Sequence, residues 1–290
     1  MEKNSLNRYI ISAEELQNLL YRDNIVIIDT REPEDYLFNH IPGAINIYEI
    51  FTYLSTRENG GYEAMASLFA GLFGKAGIGG NEKVIIYEDA MDNGYGRSCR
   101  GWFILNYLGY KNAAVLHGGY QAWLQKEFPV TKDIPFPAPK TFPVNIDKSI
   151  IVDVNEMRFL ITDKEHIILD VRDHAEWIGV SSSPYGPDFA PRKGRLPGAR
   201  WIEWYNMMKT VDSIPWFKSK DELIELFTNA GITKDDKVVI YCFKGARTSN
   251  VYICMQMAGI INVRCYFGAW NEWSRDFSLP IDKGRPKNFS

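Results

Sequence analysis

The chain has 290 residues, with 33 Lys and Arg against 36 Asp and Glu, a formal net charge of −3, 46% hydrophobic and 24% charged residues. That length is too great for one ordinary domain and suits two, each able to bury a sizeable core. The charge balance argues against a nucleic-acid partner, and the composition excludes a wholly disordered chain.

No window holds 18 uninterrupted apolar residues, so no membrane-spanning helix is expected, and Met1 to Ile11 lacks the basic-then-apolar pattern of a secretory leader. The four cysteines, Cys99, Cys242, Cys254 and Cys265, form no C-x-x-C pair, and the four histidines are scattered. Neither a disulfide scaffold, nor a metal site, nor a cofactor is expected. The expectation is a cytoplasmic protein with reduced thiols, in which one well-placed cysteine is a candidate nucleophile.

In chain order, a helix is predicted over Ala13–Leu20, opened by Ser12 with Glu15 three residues on, and a strand of β-branched residues over Ile25–Ile28. Asp29-Thr30-Arg31 and Pro42-Gly43-Ala44 follow. Then come a strand over Val84–Tyr87, a helical pattern around Trp102 to Tyr107, a short strand over Ala114–Leu116, and Gly118-Gly119-Tyr120-Gln121-Ala122-Trp123. These landmarks return in the same order. Asp170-Val171-Arg172 lies 141 residues after its counterpart, Pro197-Gly198-Ala199 155 after, Lys237–Tyr241 154 after, and Gly268-Ala269-Trp270-Asn271-Glu272-Trp273 150 after. The chain is therefore expected to be two copies of one fold. The N-terminal copy spans 1–128, a proline-rich linker 129–148, and the C-terminal copy 149–290, whose extra 14 residues fall within Ile178 to Gly194. Short apolar strands alternating with helices predict an α/β fold with a parallel sheet, whose chemistry sits at the carboxyl ends of strands.

At one such end, Val238–Tyr241 runs into Cys242-Phe243-Lys244-Gly245-Ala246-Arg247, with a helix expected to begin near Thr248. A loop curling from Cys242 to Arg247 points successive backbone N–H groups inward. The helix N-terminus, Lys244 and Arg247 add positive charge, and all of these are expected to favour thiolate over thiol at Cys242. Gly245 allows the left-handed turn that a tight loop needs. The equivalent position in the first copy is Glu88, followed by a loop about four residues longer. A carboxylate cannot relay sulfur, so that copy is expected to be catalytically silent.

Tyr36-Leu37-Phe38-Asn39-His40-Ile41-Pro42-Gly43-Ala44-Ile45-Asn46-Ile47, together with Tyr266-Phe267-Gly268-Ala269-Trp270-Asn271-Glu272-Trp273 and the Cys242 loop, resembles the signatures of two-domain, tandem rhodanese sulfurtransferases. Phe267 departs from them, standing where an acidic residue, Ala or Pro is usual. The resemblance covers about Ile10 to Ile281. It implies a five-stranded parallel sheet flanked by helices in each domain, and a persulfide on Cys242 alone. It also implies transfer of a sulfane sulfur from a small-molecule donor to a thiophilic acceptor such as cyanide, a thiol, or a thiol protein such as thioredoxin. Phe243, Lys244, Gly245, Ala246 and Arg247 would line the site. Two loop cations favour doubly charged thiosulfate over 3-mercaptopyruvate.

The insertion carries Arg192, Lys193 and Arg195. It is either a plain surface loop or a cover for the active loop. The resemblance implies that a basic residue of this segment, Arg195 or Arg192, holds the anionic part of the donor. A Cdc25-like phosphatase or arsenate reductase shares the fold, but has five residues between Cys and Arg where this loop has four. A non-catalytic sensing or docking module is a further alternative. Three features take structural readings: the Asp-x-Arg pairs as salt bridges, His40 as a hydrogen-bonded residue, and Cys254 and Cys265 as core. Cys99 is assigned to the longer loop of the first copy.

Overall fold

The computed structural model describes residues 9–22 and 24–285, so residues 1–8 of the stretch read for a leader lie outside the described residues. The chain divides into two compact units. The first unit holds a five-stranded parallel sheet of β1 (Ile10–Ile11), β2 (Ile25–Asp29), β3 (Ala44–Asn46), β4 (Lys83–Tyr87) and β5 (Ala113–Leu116), in the order β1-β5-β4-β2-β3. The second unit repeats it with β6 (Ile151–Val152), β7 (His166–Asp170), β8 (Arg200–Trp201), β11 (Lys237–Tyr241) and β12 (Val263–Tyr266), in the order β6-β12-β11-β7-β8.

The central strands are runs of Ile and Val because both faces are covered. Val26 pairs with Val84 and Ile27 with Ile85 in one sheet, and Ile167 pairs with Val238 in the other. β-Branched side chains lose little χ1 freedom on a pleated surface that is packed on both sides. The first core gathers Leu16, Ile27, Ile85, Leu116 and Trp123. The second gathers Met157, Ile168, Val239, Trp270 and Trp273. Helix starts follow their sequence signals. Ser12 Oγ accepts from the Glu15 N–H at 3.1 Å while Glu15 accepts from Ser12 N at 2.9 Å, and Asp153 Oδ1 accepts from the Glu156 N–H at 2.8 Å.

The two units exchange segments of chain, which the sequence division at 128 and 149 did not anticipate. Residues 54–62 pack with the second unit and residues 208–218 with the first. The latter form an antiparallel hairpin, β9 (Met208–Val211) and β10 (Ile214–Phe217). It is turned by Asp212 and Ser213, both at positive φ, the backbone of a two-residue primed turn without its usual glycine. The hairpin is anchored where the Phe217 N–H donates to Nε2 of half-buried His117 at 2.9 Å. The proline-rich segment after Phe128 carries no helix up to Asp147. It runs along the first unit, with the Lys140 N–H on the Gly74 carbonyl, Lys140 Nζ 2.6 Å from Glu82, and Phe142 buried. No helix among the described residues is long and apolar enough to cross a membrane.

Candidate active site

The second unit builds its site at the carboxyl end of β11. Directly behind the loop, Asp170 at the end of β7 receives Nε and Nη2 of Arg172, and the Tyr241 hydroxyl donates to Asp170 Oδ2 at 2.5 Å. Asp170 and Arg172 are fully buried, and the guanidinium lies 4.6 Å from the Trp270 ring centre. Arg172 also donates to the Gly194 carbonyl. A buried ion pair of this kind holds geometry more than it adds stability. Asp29, Arg31 and Tyr87 form the same network in the first unit, in accord with the structural reading of both Asp-x-Arg pairs.

On that base the loop 242–247 is pinned from the opposite side. The Trp270 N–H donates to the Cys242 carbonyl and the Asn271 N–H to the Phe243 carbonyl, each at 3.0 Å. Cys242 is 1% exposed, and the Gly245 N–H points at its Sγ at 3.1 Å. Gly245 has φ +93°, and a Cβ there would lie 2.6 Å from the Phe267 ring. Phe267, the departure from the family signature, therefore adds a steric reason for glycine to that of the positive φ. The helix begins at Ala246, two residues before the expected start, and runs thirteen residues to Ala258. Its N-terminal dipole is aimed into the loop.

Arg247 does not stand open to an incoming anion. Its Nη1 donates to Asp173 Oδ1 at 2.7 Å and to Glu176 Oε2 at 2.5 Å, and Nη2 donates to Glu176 Oε1. Burial opposes its charge, but Glu176 and Asp173 outweigh that and hold the guanidinium well above its ordinary pKa. Asp173 and Glu176, absent from the sequence-derived site, thus belong to it. Their signal was available, since both follow the Asp170-x-Arg172 turn at a spacing that puts them on one helical face.

The insertion packs on the loop. Tyr185 and Phe189 each meet the Phe243 ring edge to face, at 5.6 and 5.9 Å, and Lys244 Nζ lies 5.0 Å from the Tyr185 ring centre. The two arginines of this segment point elsewhere. Arg192 donates to the carbonyls of Trp273, Ser274, Asp276 and Leu279. Arg195 donates to those of Trp177 and Gly284. Both are clamps that tie the insertion to the C-terminal segment, and their donors are directed at carbonyl oxygens rather than at the Cys242 loop.

All four cysteines are buried, and none is in a disulfide. Burial pushes the thiols of Cys254 and Cys265 well above their ordinary range, with Cys242 adding to the effect at Cys265. Cys99 lies within the helix Arg97–Tyr107 rather than in a loop, because that helix opens at Gly96, earlier than the Trp102 pattern suggested. His40 hydrogen-bonds the carbonyls of Tyr36 and Asp133 through its two ring nitrogens, the structural role expected of it. Among the described residues no group of three His, Cys, Asp or Glu is arranged to hold a metal ion.

A model of the rhodanese-like domain matches residues 12–126 and 153–276, and the chain belongs to that family, as two tandem copies of the domain. It is a sulfurtransferase. It is 33% identical over 223 residues to the sulfur carrier protein TtuD of Thermus thermophilus, covering 74% of this chain and 76% of that one. The thiosulfate sulfurtransferase of Azotobacter vinelandii is 24% identical over 273 residues, 94% and 96% of the two chains. That of Cricetulus griseus is 26% identical over 246 residues, 83% and 79%. Among solved structures, EanB in complex with ergothioneine covalently linked to a persulfide cysteine superposes with a TM-score of 0.82 at 26% identity, covering 97% of this chain and 71% of that one.

Proposed function

We propose that the second domain moves a sulfane sulfur through a persulfide on Cys242, and that thiosulfate is the preferred donor. The observation that carries this reading is the placement of Cys242. Its sulfur ends a parallel strand, receives a backbone N–H, and faces the N-terminus of a thirteen-residue helix. The Cys242 thiolate attacks the outer sulfur of thiosulfate. A new S–S bond forms as the old one breaks, and sulfite leaves with the electron pair. The loop N–H groups and Lys244 stabilise the negative charge of the resulting persulfide. An acceptor then attacks the outer sulfur: cyanide leaves as thiocyanate, and a thiol, including that of a protein such as thioredoxin, leaves as its own persulfide. Either step returns Cys242 as thiolate. Relatives named as thiosulfate sulfurtransferases and as a sulfur carrier support the reading.

One observation favours a second donor. Arg247 is neutralised by Glu176 and Asp173, so the loop presents less net positive charge than its two cations suggest. That suits the monocarboxylate 3-mercaptopyruvate better than a dianion. Intact-mass measurement after exposure to each donor, followed by turnover to cyanide, tests both readings. The expected result is a gain of one sulfur atom that is absent in Cys242→Ala, formed faster with thiosulfate. A sulfur adduct that persists in Cys242→Ala overturns the assignment of the nucleophile.

A further inference from the structure

We infer, building on the sulfur-transfer reading above, that Tyr185 is a positioning residue for the sulfur donor: its ring holds the Lys244 ammonium beside the Cys242 loop and so sets donor affinity. A lysine placed two residues after the nucleophile is a poor fixed charge by itself. Its four-carbon stem is flexible, and fixing it costs rotamer freedom. Here the ammonium sits 5.0 Å from the Tyr185 ring centre, within the range of a cation–π contact, and Lys244 is only 9% exposed.

The ring is itself held in place. The Tyr185 N–H donates to Ser183 Oγ, and that hydroxyl donates to the Gly186 carbonyl. Ser181 Oγ closes the same turn on the Ser183 carbonyl, and Ser182 Oγ accepts from the Ala190 N–H. The three consecutive serines thus tie the insertion into a compact knot, and Tyr185 leans from it onto Phe243. A loop built in this way presents its aromatic side chain from a fixed backbone, as functional surface loops do. Because Arg247 is bound to two carboxylates, the placement of Lys244 decides how well the loop receives an anion. A preplaced charge binds donor and transition state alike, so its loss appears in KM rather than in kcat.

The test compares Tyr185→Leu, which keeps an apolar contact for Phe243, and Tyr185→Phe, which keeps the ring face, each alone and combined with Lys244→Met. Steady-state kinetics are measured with whichever of thiosulfate or 3-mercaptopyruvate loads the wild-type protein. Tyr185→Leu is expected to raise donor KM by roughly 2- to 30-fold, the span of a cation–π contact, with kcat within about twofold. Tyr185→Phe is expected to restore KM, and Tyr185→Leu to add nothing in the Lys244→Met background. A Leu variant with wild-type KM, a Phe variant that fails to rescue, or additive effects with Lys244→Met overturns the inference while leaving sulfur transfer intact. A wild-type protein that gains no sulfur atom from either donor overturns both.

Discussion

The first domain and the second place different side chains at the same point of the same fold, and the difference shows how one backbone frame can hold either a thiol or a carboxyl group at a helix start. In both, an Asp-x-Arg turn and a tyrosine hydroxyl lock the end of one central strand against its neighbour. In the second domain the neighbour ends in Cys242, whose sulfur receives one N–H and sits at a helix start. In the first it ends in Glu88. That carboxylate accepts from Ser98 Oγ at 2.7 Å and from the Arg97 N–H at 3.1 Å, and a Cβ on Gly94 would fall 2.1 Å from its Oε2. The first domain has placed its own carboxyl group in the cradle. Glu88 takes up the Arg97 N–H and the Ser98 hydroxyl at this helix start, which gives a physical reason, beside the missing thiol, to expect no sulfur transfer in the first domain.

Exchanging the two residues is the largest test of this contrast. Cys242→Glu is expected to abolish cyanide-linked turnover, by roughly three orders of magnitude or more. Glu88→Cys is expected to gain none, because the donors of the first domain's longer loop, the Arg97 N–H and the Ser98 hydroxyl, meet carboxylate oxygens that lie farther out than a thiol would reach. Measurable sulfur loading of the Glu88→Cys variant in a Cys242→Ala background would show that the strand-end position alone is sufficient.

The arginine of each helix start gives the next effect. Arg247 is buried against Glu176 and Asp173, whereas Arg97 meets Glu32 at 3.4 Å with that carboxylate half-exposed. Removing one member of a buried pair strands the other charge. Arg247→Ala is therefore expected to cost about 3–5 kcal/mol in denaturant unfolding, and Arg97→Ala less, because the Glu32 carboxylate it would leave behind is half-exposed and stays hydrated. If the double variant Arg247→Met/Glu176→Met recovers none of the loss, the stranded carboxylate is not its cause.

A third test concerns pH, and separates two titratable groups of the first unit, Glu88 and His117. Burial raises Glu88 from 4.5 to about 7, against the opposing hydrogen bond from Ser98. Its folded form keeps the proton longer than its unfolded form, so its contribution to stability is complete below about pH 4.5 and is lost as pH rises to about 7. Burial lowers His117 from 6.5 to about 4. Its contribution is complete above about pH 6.5 and is lost as pH falls to about 4. The windows overlap with opposite slopes, each on the order of 3 kcal/mol, so the wild-type profile is expected to be nearly flat. Glu88→Gln should uncover a stability that rises from about pH 4 to about 6.5. His117→Gln, which keeps an acceptor for the Phe217 N–H, should uncover one that falls from about pH 4.5 to about 7. Parallel profiles for both variants would remove either group from the account.

A last test concerns the turn of the loop at Gly245. Gly245→Ala faces both a positive φ and the Phe267 ring. It is expected to cost about 1–3 kcal/mol and to weaken sulfur loading by moving the N–H off Sγ. Phe267→Ala should relieve the steric part of that cost and leave the backbone part.

Much of this protein was legible in its residues. The shared order of Asp-x-Arg, Pro-Gly-Ala, a β-branched strand and a Gly-aromatic helix start disclosed two copies of one α/β fold. Cys242 against Glu88 at matched strand ends disclosed which copy carries the thiol. Such features are local: strand, turn and helix start are dictated by neighbours in sequence, and a strand end in a parallel sheet is where a side chain meets a helix dipole. What only the tertiary structure decided involves long-range proximity. It is proximity that binds Arg247 to Glu176 71 residues away, turns Arg192 and Arg195 into clamps on carbonyls, sets Tyr185 over Lys244, and exchanges residues 54–62 and 208–218 between the units. A count of charges along a chain says nothing about which of them are already paired, because pairing depends on separations of a few ångströms that only the packed fold creates.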